Sequence, residues 1–99
     1  MASDPFEALG NPQRRAIVEL LALGPRAVRE IADELPISRP AVSRHLRLLS
    51  RAGLVTDEQV GARRLYRLQE QGVEAVREYV DRVWGEAAAR FRLFAENTE

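Results

Sequence analysis

The 99-residue chain contains no cysteine and no lysine, and its only histidine is His45. Without cysteine there is no disulfide framework, and a single imidazole leaves zinc or iron–sulfur sites without their usual ligands. Scattered carboxylates give only a weak calcium or magnesium signal, so neither a metal nor a cofactor is expected. The apolar runs fall far short of the roughly 20 residues that cross a bilayer, which argues against a membrane partner. MASDPFEALG at the start lacks the basic flank and long apolar core of a secretory signal, which makes the cytoplasm the expected location. Catalytic groups are also scarce. Glu19, Glu30, Asp33 and Glu34 have no nucleophile, substrate cleft or phosphate loop near them in sequence, so an enzyme is not expected.

What is present suits a folded soluble protein: 45% hydrophobic and 30% charged residues. A chain this short makes one domain, residues 1–99, and buries only about two thirds of its extended surface, so a partner subunit would help its stability. The formal charge of zero hides a regional contrast. Residues 1–35 and 71–99 each carry four Arg against six acids, while residues 36–70 carry seven Arg against three. A basic middle third in a neutral chain can face nucleic acid while the acidic parts face elsewhere. Apart from His45 and the terminal amine every base is Arg, the better bidentate donor to phosphates and guanine edges.

Asp4-Pro5 before FEALG suggests a short first helix ending near Gly10, and Asn11-Pro12 caps and starts a second over 12–23, stopped by Gly24-Pro25. A third helix is expected over 26–35, with Val28, Ile31, Ala32 and Leu35 on one side. Pro36-Ile37 makes a tight connection, and Ser38 caps a fourth helix that stops near Ala52, with Gly53 left-handed and Leu54 closing on Leu49. A short helix, a tight turn and an amphipathic helix with a basic side have the form of a helix-turn-helix. On that fourth helix Val42, Leu46 and Leu49 lie within about 60° of one another, with Pro40, Ser43, Arg44, Arg47 and Arg51 opposite them.

Residues 54–59 and 63–68 read as two strands joined around Val60-Gly61-Ala62. A two-residue type II′ turn at Gly61-Ala62 would put Val55, Tyr66 and Leu68 on one face, and Thr56, Arg63 and Arg67 on the other. Such a basic hairpin is a candidate wing. From Gln71 to Ala95 a long helix follows, carrying Val73, Val76, Val80, Val83, Trp84, Ala87, Phe91 and Phe94 at spacings of mostly three or four. It spans about 38 Å, more than the small domain can cover, so its excess apolar surface calls for a second copy. Gly85 is expected to allow a close approach or a bend, and the first five and last four residues are expected to fray.

The fold expected is therefore mainly α with a small β-hairpin: a winged helix-turn-helix of about five helices and a two-stranded wing. Its expected partner is double-stranded DNA. Ser43 and Arg44, with Arg39 and Pro40, lie on the turns that enter the major groove; Ser43 and Arg44 are the candidate base-edge readers. Arg47 and Arg51 lie farther along, where they meet the backbone, and Arg39 can do either. Arg63 and Arg64 sit beside the wing tip, within reach of a phosphate or the minor groove. His45 falls at the edge of the apolar face, which suits a structural or phosphate-contact role, and low pH would strengthen binding were it near DNA. Trp84, Phe91 and Phe94 suit a dimer core better than a ligand pocket.

NPQRRAIVELLALGP at 11–25, VREIADELPISRPAVSRHLRLLSRAGLV at 28–55 and GARRLYRL at 61–68 together resemble the ArsR/SmtB family of small bacterial winged-helix repressors. The resemblance implies a homodimer joined largely by the first and last helices, which adds Phe6 and Leu9 to the dimer residues Val76, Val80, Val83, Trp84, Ala87, Phe91 and Phe94. It also implies Ser43 and His45 at the DNA surface, a palindromic operator, and often release by an inducer. The chain departs from the family pattern in lacking the Cys pair between Val28 and Leu35 and the His-containing metal site of the last helix. The expected inducer is therefore no metal of the usual kind. An unidentified small organic molecule, control by concentration alone, activation instead of repression, and a protein-binding winged-helix adaptor all stay open.

Overall fold

Capping side chains set most of the boundaries in the computed structural model, which describes residues 4–97. Asp4 accepts the Phe6 amide at 2.9 Å and opens α1 (Pro5–Ala8). Asn11 accepts the amides of Gln13 and Arg14 and opens α2 (Pro12–Leu21), whose Pro12 has no amide proton to orphan. Arg14 and Arg15 then reach back to the carbonyls of Ala8 and Leu9, each at 2.7 Å, so that α2 caps the end of α1. Of the ends expected to fray, Asp4 and Pro5 belong to α1 and its cap, Glu96 and Asn97 belong to the last helix, and the others lie outside the described residues.

The third helix, α3 (Val28–Glu34), starts two residues later than its apolar pattern suggests. Arg26 is extended instead: its amide donates to the Tyr66 carbonyl at 3.0 Å, and the Tyr66 amide returns a bond at 2.8 Å. Those bonds satisfy the outer edge of the second strand of the hairpin, a demand that helical periodicity does not register.

Ser38 Oγ accepts the Ala41 amide at the start of α4 (Arg39–Arg51). At its end the Leu54 amide donates to Leu49 O and the Gly53 amide to Ser50 O, both at 3.0 Å, with Gly53 at φ 76°. That is a Schellman termination, and Leu49 and Leu54 are both buried in the core. The chain then enters the antiparallel pair β1 (Val55–Val60) and β2 (Arg63–Leu68), in register Val55 with Leu68 and Val60 with Arg63. Gly61 has φ 62° and Ala62 has no positive φ, as a type II′ turn requires.

The closing helix, α5 (Glu70–Asn97), has 28 residues, slightly longer than 71–95. The expected close approach falls at Gly72, where a Cβ would stand 2.1 Å from the Gly53 carbonyl oxygen. At Gly85 a Cβ would meet no atom within 4 Å, and the helix runs through it unbroken. The core that holds these elements comprises Ile17, Ile31, Val42, Leu46, Leu49, Leu54 and Val55, all fully buried. It lies under α2, α3, α4 and the base of the hairpin. Most of α5 projects from it, giving principal extents of 62 × 26 × 24 Å.

Candidate nucleic-acid interface

Burial divides α4 as its wheel does. Val42, Leu46 and Leu49 are at most 1% exposed, whereas Arg39, Pro40, Ser43, Arg44, Arg47 and Arg51 are all exposed. Among the described residues none of these four arginines makes a hydrogen bond or ion pair with a carboxylate. Four guanidiniums are thus held on a rigid helix with their donors available to an external anion.

His45 occupies the seam between these faces. Its ring is half buried, and Nε2 lies 2.8 Å from Gln13 Oε1 on α2. Nδ1 is buried with no hydrogen-bond partner among the described residues. Burial holds the pKa of the ring below its ordinary value of 6.5, and the nearby charges of Arg14 and Arg44 push it the same way.

The wing arginines are engaged differently. Adjacent strand residues point to opposite faces, and Arg63 and Arg64 find separate carboxylates: Arg63 pairs with Glu30 of α3, and Arg64 with Asp57 of β1. Both arginine side chains remain about half exposed, at 56%. Glu30 also accepts the Ala27 amide at 2.9 Å, closing the first turn of α3. That amide, followed by the Arg63, Arg26 and Arg29 charges, outweighs partial desolvation and holds the Glu30 carboxyl below the usual range. Arg29, Glu30, Arg39, Arg63, Arg64 and Tyr66 surround an open cleft of about 420 Å³ between α3, the start of α4 and the wing.

On α5, Val73, Val80, Ala87 and Phe94 recur every seven residues, with Val76 and Val83 between them, and Trp84 and Phe91 alongside. This is the period of a helix–helix seam. Val80 and Val83 are about 40% exposed, Trp84 63%, Phe91 73% and Phe94 72%. Ala87 is half buried, while Val76 and Leu9 pack against the core of the chain itself. Phe6 meets Tyr79 with ring centroids 4.7 Å apart, joining α1 to the stripe, and Arg82 lies over the other ring at 5.8 Å.

Sequence reasoning passed over Gln13, Asp57, Tyr79 and Gly72, and weighed Glu30 only as a catalytic carboxylate. Tyr79 had a signal, standing three residues after Val76 and four before Val83. Gln13 and Glu30 had none, since their partners lie 32 and 33 residues away.

An arginine-bearing helix seated by a buried seam, a short helix before it and a two-stranded wing after it define a winged helix-turn-helix DNA-binding regulator of transcription. Residues 11–57 match the family described as "Bacterial regulatory protein, arsR family". The chain is 52% identical over 82 residues to the HTH-type transcriptional regulator Rv2034 of Mycobacterium tuberculosis, covering 83% of this chain and 77% of that protein. Among solved structures it resembles a possible transcriptional regulator for arsenical resistance, with a TM-score of 0.76 and 42% identity over 97% of this chain and 98% of that one. It also resembles the homodimeric winged helix-turn-helix DNA-binding domain Mb0332 from Mycobacterium bovis, with a TM-score of 0.68 and 34% identity over 83% and 76% of the two chains. The chain belongs to the arsR family of bacterial regulatory proteins.

Proposed function

We propose that the protein is a homodimeric, sequence-specific repressor that binds a palindromic operator in double-stranded DNA. The observation that carries this reading is the exposed face of α4, where Arg39, Arg44, Arg47 and Arg51 have no carboxylate partner among the described residues and Ser43 stands among them. Ser43 and Arg44 read base edges in the major groove, with Arg39 and Pro40 on the leading turns; Arg47 and Arg51 hold the backbone. Arg63 and Arg64 bring the wing to flanking phosphates. His45, held by Gln13, fixes the seating of α4 and in this reading also meets a backbone phosphate.

Two copies join through the α5 stripe at Val76, Val80, Val83, Trp84, Ala87, Phe91 and Phe94, with Phe6 and Leu9 contributed from α1 and its end. In favour stand the seven-residue period, the exposure of the large side chains and the homodimeric state of the M. bovis relative. Release by a small-molecule inducer belongs to the same reading.

Selection of genomic DNA fragments by the purified protein tests it. One recovered fragment is expected to bind with an affinity that falls steeply as salt rises. Replacing Ser43 and Arg44 together by Ala should abolish preference for that fragment over random duplex, and transcription from its neighbouring gene should rise when the protein is removed. Saturable binding to an acidic protein with no salt-sensitive DNA affinity would identify an adaptor instead. A fall in transcription would identify an activator.

A further inference from the structure

The cleft between α3 and the wing is lined by Arg29, Arg39, Arg63 and Arg64 and, among its described lining residues, by one acidic side chain, Glu30. One oxygen of that carboxylate serves two donors: the Ala27 amide, which closes the first turn of α3, and the Arg63 guanidinium from the wing. The first bond is needed for the helix, and a neutral Gln makes it equally well. The second is not needed to place the wing. β2 is already held by its ladder to β1 on one side and by the paired bonds between Arg26 and Tyr66 on the other. The Glu30–Arg63 pair is exposed, with the two side chains 39% and 56% accessible, and exposed pairs of this kind are weak. The Arg64–Asp57 pair, by contrast, lies within the wing and moves with it.

We propose that Glu30 competes with DNA for Arg63: the carboxylate holds the guanidinium until a backbone phosphate entering the cleft takes it over. This rests on the DNA-binding reading above and adds a residue that tunes it. The exchange leaves no orphan, because Glu30 keeps its bond to Ala27 when Arg63 departs. Glu30 cancels one positive charge where phosphate would sit, so it trims affinity that is independent of sequence. The base contacts of α4 are left with a larger share of the binding.

The test is a comparison of four proteins, wild type, Glu30→Gln, Arg63→Ala and the double variant, on the recovered genomic fragment and on random duplex across a salt series. Glu30→Gln keeps the cap acceptor, and the melting temperature and mass of each variant are measured alongside. If local charge governs, Glu30→Gln binds both duplexes roughly tenfold tighter at low salt, with a slope of log K against log salt steeper by about 0.9, one phosphate contact. Arg63→Ala leaves the carboxylate facing phosphate and binds more weakly than wild type. In the Arg63→Ala background Glu30→Gln gains far less than tenfold, because the guanidinium that carboxylate and phosphate compete for is gone; an equal gain in both backgrounds overturns the competition. If Glu30 is instead a strut for the wing, Glu30→Gln weakens binding as much as Arg63→Ala does. That result, or an unchanged slope, overturns the competitor role while leaving the DNA-binding reading intact. Wild-type protein that binds no duplex overturns both.

Discussion

Leu46 and Arg47 are chain neighbours with opposite tasks. Leu46 is 1% exposed beneath α4, and cutting it to Ala leaves a cavity, so Leu46→Ala should cost about 2–5 kcal/mol in denaturant unfolding. Arg47 is exposed and has no carboxylate partner among the described residues, so Arg47→Ala should change stability by less than about 0.5 kcal/mol while weakening DNA binding. His45 adds a pH dependence whose sign follows from its depressed pKa. Between the folded pKa and the ordinary 6.5, the unfolded chain binds the proton more readily than the folded one. Its stabilising contribution is therefore complete above pH 6.5 and is lost as pH falls through the folded pKa. Melting temperatures across this window should fall with acid in the wild type and fall less in His45→Gln; identical profiles would remove His45 from the linkage.

Elements were legible in the sequence where one local pattern governs them. The wheel, the Ser38 cap and the Gly53-Leu54 termination define α4 within a residue, and Gly61 defines the hairpin and its register. The start of α3 was not legible, because the backbone of Arg26 is claimed by Tyr66, 40 residues on. The exposed face of α4 could be read from spacing alone, but the wing's ion pairs could not: Arg63 meets its carboxylate only through the tertiary fold. Glycines show the same limit. Gly72 and Gly85 look alike in the α5 sequence, yet only Gly72 touches another backbone. The same substitution should act with opposite signs at the two. Gly85→Ala should stabilise by about 1 kcal/mol through helix propensity. Gly72→Ala should destabilise by about 1–3 kcal/mol, because α5 must shift off the end of α4. Thermal melts of the two variants side by side decide this, and equal shifts would count against the Gly53–Gly72 contact.

At the scale of the whole molecule, charge and apolar surface divide the labour. The basic middle third becomes the second helix of the helix-turn-helix and the wing, and an acidic third becomes α5, whose stripe exceeds what its own core covers. Val80→Asp with Val83→Asp places two charges in the proposed seam, so sedimentation should show a folded monomer or an unfolded chain. A folded, unchanged dimer would move the interface elsewhere. The central claim is that two copies read DNA together, and hydroxyl-radical footprinting of the protein on its selected genomic fragment tests it most directly. Two protected half-sites related by a two-fold axis, with centres roughly 34–36 Å apart or a multiple of that, are the predicted result. A single asymmetric patch, or no protection at concentrations where the protein is folded, would contradict it.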